Sequence, residues 1–413
     1  MAEIIPSPAS TVNDAWSIDK AVDWLLSEGR FLSDLNLIAE GVGKRLHDDG
    51  APVSRFRVAM RTLHPLITAV SGIWEQDIIS TEPVAARHGL ESSPAYVGSP
   101  MAFVAESGEP FRKRLTEPLT DSDHRVLHEL KERGTTDYLC FPLKFTSNLG
   151  GLVTVATDRD IGFSDTDIDK FLTFAKPMSV VMEVLNQEQT AKAVAEAYLG
   201  SRTGRRVLDG RITRGHVETI NAAILVGDIK NWTAMSAQLS PEDVLHLANR
   251  YFDIMASAIN RHGGEILKFI GDSVLAIFEA GTDTQSATRA CERAVAAAQR
   301  ALAVDTAADG EMPFEFGIGL DFGEVLYGNV GSPERIDFTV LGPHVNIAFR
   351  IERLTRALNR PLLYSATVAT ALLNESDLVV RKALKGHEGE YDIYAPRPDF
   401  EDRSVLGNSI ATT

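Results

Sequence analysis

The sequence has few cysteines, no long apolar run and no excess of positive charge. Cys140 and Cys291 are the only cysteines among 413 residues, which excludes a disulfide framework and predicts a reducing, cytoplasmic location. No segment approaches the roughly 18 apolar residues of a membrane-spanning helix, and the N-terminus lacks the basic and apolar pattern of a signal peptide. The formal net charge of −16 argues against a nucleic-acid binder, because such a protein needs a basic face.

The length predicts more than one domain, because 413 residues exceed what one ordinary core accommodates. The two ends, 1–14 and 398–413, are polar and are predicted to be disordered. Residues 15–187 are predicted to form a regulatory domain, and 188–215, with a helix-forming start followed by several glycines and arginines, a helical connector. Residues 216–397 then form the second domain.

The N-terminal domain shows amphipathic helices, then strands at 55–63 and 66–74, then further helices. Two apolar strands, YLCFPLKF and GGLVTVATD, precede a long final helix. This order resembles a GAF-type sensor domain, a small α+β fold, over roughly residues 20–187. The resemblance implies an unidentified small ligand or a role in dimerisation.

Two aspartates follow apolar strands in the second domain. The run AAILV ends at Gly227 and Asp228, and the hairpin KFIGDSVLAIF turns at Gly271 and Asp272, with a predicted helix over 241–260 between them. In a βαββ unit these strands are neighbours, so both carboxylates can reach one sheet edge. Carboxylate pairs commonly hold Mg²⁺ against phosphates. Alternatively, each aspartate is an ordinary turn former.

The rest of the domain continues this alternation of helices and strands. Helices are predicted at 283–304 and 344–358, and a strand at 313–321, with short strands at PLLYS, LVVRKA and YDIYA. Together they predict an α+β sheet with its helices on one face.

Four motifs carry a specific resemblance: VGDIKNWT, KFIGDSVLAIF, GIGLDFGEVLYGNVG and DFTVLGPHVNIAFRIERL, in this order. Together they resemble the class III nucleotidyl cyclase catalytic domain over residues 216–397, which has a ferredoxin-like βαββαβ fold. The resemblance implies that Asp228, Asp272 and the backbone carbonyl of Ile229 hold two Mg²⁺ or Mn²⁺ ions per site. It also implies a homodimer, in which each site combines residues of both chains.

The same resemblance assigns the base-reading residues. Lys268 and Thr339 are similar to the family's adenine-selecting pair, in which the lysine donates to adenine N1 and the threonine accepts from the amine. Guanine-specific members have a Glu/Cys pattern instead. ATP is therefore the implied substrate. The alternative is a solvated strand lysine and a threonine that only favours β-structure.

Asn346 and Arg350 share one helix face because they are four residues apart. The resemblance implies that Asn346 orients the ribose and that Arg350 stabilises the transition state at the α-phosphate. The alternative for Arg350 is a surface ion pair with Glu352 or Glu265. Phosphate contacts are implied for Arg335 and Lys385.

The motif VGDIKNWT, which contains Asp228 and Ile229, departs from the family's pattern, because Asn231 and Trp232 stand where the family has Gly-Phe. Asparagine tolerates left-handed backbone angles, so the turn can form, and Trp232 still supplies a ring for packing.

The leading hypothesis is an adenylate cyclase that makes 3′,5′-cyclic AMP and pyrophosphate under the control of its N-terminal domain. One alternative is a guanylate or relaxed-purine cyclase. The other is a catalytically degenerate nucleotide-binding sensor or scaffold.

Overall fold

The structure is a computed structural model, and it describes most of the chain in two compact units. The described residues are 15–78, 84–146, 150–211, 213, 215–372, 375–384 and 389–397. The predicted disordered ends and Lys385 lie outside them. The units are Met1–Val194 and Ala195–Thr413.

The first unit is an antiparallel sheet with helices on both faces. In chain order its elements are α1 (Asp19–Ser27), α2 (Leu35–Asp48), β1 (Arg55–Arg61), β2 (Ile67–Glu75), β3 (Val84–Arg87), α3 (Pro100–Ser107), β4 (Phe111–Arg114), α4 (Arg125–Glu132), β5 (Asp137–Leu143), β6 (Gly151–Thr157) and α5, which continues into the second unit (Asp165–Leu199). The described strands are ordered β3-β2-β1-β6-β5-β4. The sequence predicted the longer strands, whereas β3 and β4 have only four residues each and were missed.

β1 shows how this sheet separates its two faces. Its buried residues alternate, so Phe56 and Val58 join α1, α2 and α5 in one apolar core. Arg57 and Ala59 point to the opposite face, where Val104 of α3 and Leu127 of α4 belong to a second cluster. On this second face, the charged residue Arg57 therefore lies on the same side of the sheet as an apolar cluster from α3 and α4.

The second unit has a mixed sheet whose centre is fully antiparallel. Its elements are α6 (Ser201–Leu208), β7 (Val217–Ile229), α7 (Trp232–Ser236), α8 (Pro241–Arg261), β8 (Glu265–Ile270), β9 (Ser273–Ala280), α9 (Thr284–Leu302), β10 (Phe316–Gly331), β11 (Ile336–Leu341), α10 (Pro343–Ala357), β12 (Leu362–Ser365), α11 (Ala366–Ala371), β13 (Ser376–Ala383) and β14 (Glu390–Pro396). The strand order is β13-β14-β12-β10-β7-β9-β8, with β11 paired to β10. The central order β10-β7-β9-β8, built from β7-α8-β8-β9-α9-β10, is the predicted ferredoxin-like βαββαβ arrangement.

Helices cover both faces of this sheet, so the prediction of helices on one face is wrong. Ala223 and Leu225 pack in a core with α8, α9 and α11, whereas Ala222 and Ile224 pack in a separate core with α10. The reason lies in β7, where the run from 222 to 227 is buried without alternation. A continuous apolar run is typical of a strand buried on both faces.

Two glycines of β10 let α10 approach the sheet closely. A Cβ atom on Gly319 would lie 2.3 Å from the backbone nitrogen of Glu352 and 2.6 Å from the carbonyl oxygen of Ala348. A Cβ atom on Gly317 would lie 2.1 Å from the Thr355 side chain. The position of α10 on the sheet therefore depends on the absence of these side chains.

The substitution Gly319→Ala is expected to lower the free energy of unfolding by about 1–3 kcal/mol, because the new methyl group meets helix backbone that cannot rotate away. Urea titration of the full chain followed by circular dichroism measures the loss. Gly281→Ala is the matched control, since its Cβ would meet only side-chain atoms, the nearest being the Ser286 hydroxyl at 3.1 Å and Asp283 Oδ2 at 3.4 Å. Equal stability of the two variants would contradict the proposed close approach.

A buried carboxylate joins α6 to this sheet. Glu265 is 6% exposed and accepts hydrogen bonds from the Thr203 Oγ1 and Tyr327 hydroxyl groups, both at 2.8 Å. The guanidinium of Arg206 lies 4.9 Å from the Tyr327 ring centroid and pairs with Glu218. Residues of α6 therefore belong to the packing of the second unit.

Within the described chain, no helix is both long and apolar enough to span a bilayer. Cys140 and Cys291 are buried free thiols, and burial raises the pKa of each to about 12. Neither is therefore a reactive thiolate near neutral pH.

Candidate active site

The structure brings Asp228 and Asp272 together at the end of β7. Asp228 is paired with Ser273 of β9 in the sheet register, and the Ser273 hydroxyl donates to Asp228 Oδ1 at 2.8 Å. Asp272 directly precedes Ser273 in the hairpin turn after Gly271, whose φ of 62° is left-handed. The hairpin register thus places the second carboxylate beside the first.

The two carboxylates influence each other electrostatically. Burial and the neighbouring Asp228 carboxylate raise the pKa of Asp272 to about 6. Glu352 of α10, which is 4% exposed, lies near the same cluster. Burial, followed by the charge of Asp228, raises its pKa to about 7. This concentration of carboxyl groups attracts a cation.

Arg356 provides a positive charge at this cluster, and the sequence analysis missed it. Its Nη2 atom donates to the Ile229 carbonyl oxygen at 2.8 Å and lies 3.2 Å from Asp228 Oδ2. Arg356 is four residues after Glu352, a spacing that predicts an ion pair along α10. Instead the guanidinium reaches across to β7, and only the fold reveals this contact.

The oxygen atoms of Asp228, Asp272 and Ile229 fit a divalent cation. All are hard donors, the two carboxylates together carry up to two negative charges, and a guanidinium already contacts two of the three residues. Among the residues with described positions, no group of three or more His, Cys, Asp or Glu side chains is arranged to hold a metal.

The turn after Asp228 forms as the sequence predicted. Asn231 has a φ of 59°, in the left-handed region that asparagine tolerates. Trp232 begins α7 and packs partly buried against the core of the unit. The replacement of the family's Gly-Phe therefore preserves both the turn and the aromatic contact.

Lys268 and Thr339 lie on strands that the fold brings close. The Lys268 ammonium forms an ion pair with Asp337 of β11, and its side chain is 26% exposed. Thr339 follows two residues later on β11, on the same face of the strand, and is buried. Lys268 is thus a partly exposed lysine in an ion pair, and the sequence did not indicate its partner Asp337. The assignment of Lys268 and Thr339 to the base stays a prediction.

Asn346 and Arg350 project from successive turns of α10. Asn346 is exposed, whereas the Nη1 atom of Arg350 is buried without a hydrogen-bond partner. Among the described residues, Glu265 accepts hydrogen bonds from Thr203 and Tyr327, and the arginine charges that act on Glu352 are those of Arg356 and Arg353. The alternative ion pair of Arg350 with either carboxylate is therefore not observed. Arg350 retains hydrogen-bonding capacity for a ligand.

Arg335, one of the two remaining predicted phosphate contacts, does not join these groups. Arg335 is exposed in the turn between β10 and β11, where its backbone nitrogen donates to the Ser332 hydroxyl at 3.1 Å. Lys385 lies outside the described residues.

Comparison with known proteins gives the second unit a family match. Residues 216–393 match the family model of the adenylate and guanylate cyclase catalytic domain. Adenylate cyclase 1 of Rhizobium meliloti (strain 1021) is 34% identical over 173 residues, covering 40% of this chain and 26% of the relative. An adenylate cyclase of Anabaena cylindrica is 35% identical over 161 residues, covering 38% of this chain and 32% of the relative. This chain thus spans about a quarter to a third of these curated relatives.

Among solved structures, the adenylyl cyclase CyaB from P. aeruginosa is 27% identical, with a TM-score of 0.38. The match covers 45% of this chain and 98% of that one.

Proposed function

We propose that this protein is an adenylate cyclase that converts ATP to 3′,5′-cyclic AMP and pyrophosphate. The observation that carries the proposal is the meeting of Asp228, Asp272 and the Ile229 carbonyl around a cationic group, inside the segment that matches the cyclase family. Named adenylate cyclases among the relatives support the same activity.

Asp228, Asp272 and the Ile229 carbonyl are the proposed holders of two Mg²⁺ or Mn²⁺ ions. When bound, such ions orient and acidify the attacking 3′-hydroxyl and neutralise charge on the triphosphate. Ser273 fixes Oδ1 of Asp228 by its 2.8 Å hydrogen bond, and a cation that binds Oδ2 would have to displace the Arg356 guanidinium, which lies 3.2 Å from that oxygen. The carboxylates of Asp228 and Asp272 would thus form a fixed anionic site, and metal ions bound there would contact the phosphates of the nucleotide.

The base and ribose are assigned to other side chains. Lys268 would donate to adenine N1 and Thr339 would accept from the exocyclic amine. Lys268 is held by Asp337, which keeps the ammonium at β11 rather than in solvent. Asn346 would orient the ribose, and Arg350, whose Nη1 lacks a partner, would stabilise charge on the α-phosphate. Arg335 and Lys385 are the proposed contacts to the outer phosphates.

We further propose that the active enzyme is a homodimer with two sites, each built from both chains. The carboxylates Asp228 and Asp272 of one chain would face Lys268, Thr339, Asn346 and Arg350 of the other. Closed twofold dimers are the commonest protein assembly, and they duplicate any shared site.

Residues 15–187 are proposed to be a GAF-like sensor, 188–215 a transducing connector and 216–397 the catalytic domain. The six-stranded antiparallel sheet with helices on both faces supports the sensor assignment. The two buried free thiols are compatible with the reducing cytoplasm proposed for the protein.

Incubation of the purified full chain with ATP or GTP and Mn²⁺, followed by chromatography, tests the proposed activity. We expect cyclic AMP from ATP and much less cyclic GMP from GTP. Equal use of both nucleotides would favour a relaxed-purine cyclase. Failure to form either cyclic nucleotide would leave only the degenerate sensor or scaffold.

Arg356 is expected to compete with the divalent cation. Replacing it in Arg356→Met should tighten Mn²⁺ binding by about fivefold, the factor that corresponds to roughly 1 kcal/mol for a partly exposed ion pair. Electron paramagnetic resonance of free Mn²⁺, without nucleotide, measures the affinity. Arg353→Met removes an exposed arginine of the same helix and is the control. If both variants bind Mn²⁺ as the unmodified chain does, Arg356 does not compete.

A further inference from the structure

The first unit contains a cavity of about 230 Å³ between the β1–β2 face of the sheet and α3. Its wall is largely apolar and includes Val70, Leu90, Met101, Val104 and Leu152. An engineered apolar cavity of about 150 Å³ is large enough to take up benzene. This cavity therefore has room for a six-membered ring and a small substituent.

Three charged residues line the cavity, and two of them neutralise each other. Arg61 lies 3.6 Å from Glu91, and Glu91 also accepts a 2.8 Å hydrogen bond from the Thr68 hydroxyl. The side chains of Arg61 and Glu91 are about half exposed, which places them at the mouth. The remaining charge is Arg57, so the lining has one excess positive charge.

Arg57 is partly buried, and its hydrogen-bond donors are only partly satisfied. Its Nη2 atom donates to the Ser71 hydroxyl at 3.0 Å, while its Nε atom is buried with no hydrogen-bond partner. Among the described residues it forms no ion pair, unlike Arg55 on the same strand, which binds Glu75 at 2.7 Å. Burial, followed by the charge of Arg55, lowers the pKa of Arg57. A buried guanidinium without a counter-ion is costly.

We propose that this cavity binds a small organic monoanion whose carboxylate pairs with Arg57 and Ser71 and whose apolar body is about the size of a benzene ring. Arginine favours planar carboxylates because its fork of N–H donors matches their two oxygens. The free Nε atom is one such donor, and the apolar wall receives the ring. The inference names a ligand class for the proposed sensor, but it concerns binding alone and does not depend on cyclase activity.

Isothermal titration calorimetry of the full chain with benzoate, phenylacetate, hexanoate and phenyl phosphate tests the proposal. We expect saturable binding of at least one carboxylate, at least tenfold tighter than its neutral amide. Benzamide is the control for benzoate, because it has the same shape without the charge. No saturable binding of any of the three carboxylates, with or without binding of phenyl phosphate, or equal affinity for the acid and its amide, would overturn the proposal.

Variants of two arginines, Arg57 and Arg55, locate the site. Arg57→Met should weaken binding of the preferred anion by at least tenfold and remove the preference for the acid over its amide. Arg57→Lys, which keeps a positive charge, should retain part of this preference. Arg55→Met is the matched control, because it removes an arginine two residues away that does not line the cavity, and Glu75 keeps its ion pair with Arg133. Circular dichroism verifies that each variant is folded. Unchanged anion binding in folded Arg57→Met would place the anion elsewhere and refute the assignment.

Discussion

A mixture of Asp228→Asn and Arg350→Ala chains is expected to regain cyclase activity that neither variant has alone. Each variant by itself should lose at least about a thousandfold in turnover, because each removes a charge that we propose acts on the reacting phosphates. In a mixed dimer, both defects fall on one site and the other site is intact. Random pairing into twofold dimers should therefore restore up to about a quarter of the original activity.

The choice of partner variants makes this experiment discriminating. Asp228→Asn mixed with Asp272→Asn should stay inactive, because the proposed site takes both carboxylates from one chain and each site is then damaged. Co-purification of two differently tagged chains establishes that mixed dimers form. If the Asp228→Asn and Arg350→Ala mixture remains inactive in such dimers, the shared site is refuted, although the activity itself is not.

The second large expected effect is a change in the preference for ATP over GTP when Lys268 and Thr339 are replaced. Replacement of Lys268 by glutamate and of Thr339 by cysteine should convert the pair to the pattern of guanine-specific family members. We expect the preference for ATP over GTP, measured as the ratio of kcat/KM values, to fall by roughly a thousandfold. Sites built on hydrogen bonds discriminate strongly because the wrong base leaves buried polar groups unpaired.

The observed ion pair adds a condition to this swap. Lys268→Glu alone would place a new carboxylate beside Asp337, and the like charges would repel each other. The exchange is therefore best made together with Asp337→Asn. Asp337→Asn alone is the control and should keep its preference for ATP. A triple variant that still prefers ATP by the original factor would show that Lys268 and Thr339 do not read the base.

Local patterns predicted most elements of the second unit closely. The helices expected at 241–260 and 344–358 are observed as Pro241–Arg261 and Pro343–Ala357. Their boundaries have a physical basis in sequence, since proline is favoured at the first helical position and the Ser240 hydroxyl caps α8 by accepting from the backbone nitrogen of Asp243. Such signals involve residues only a few positions apart.

The errors concern contacts between distant segments. The placement of α10 on the second face depends on Gly319, whose role is visible only once the helix lies against it. The contact of Arg356 with Ile229 joins residues 127 positions apart, and Lys268 meets Asp337 across 69. The helical spacing of Arg356 from Glu352 would indicate an ion pair along α10, and no local pattern connects Lys268 with Asp337, because periodicity describes neighbours within one element.

The buried carboxylate of Glu265 has a consequence for where the proposed catalytic domain begins. The family match starts at residue 216, but Thr203 supplies one of the two hydroxyl groups that satisfy Glu265. A chain shortened to residue 216 would leave this carboxylate with Tyr327 alone. An unsatisfied buried polar group costs about 1–3 kcal/mol, and more when charged. The smallest fragment of the proposed catalytic domain that folds stably should therefore include α6. A fragment that begins where the family match begins, at residue 216, would lack this helix.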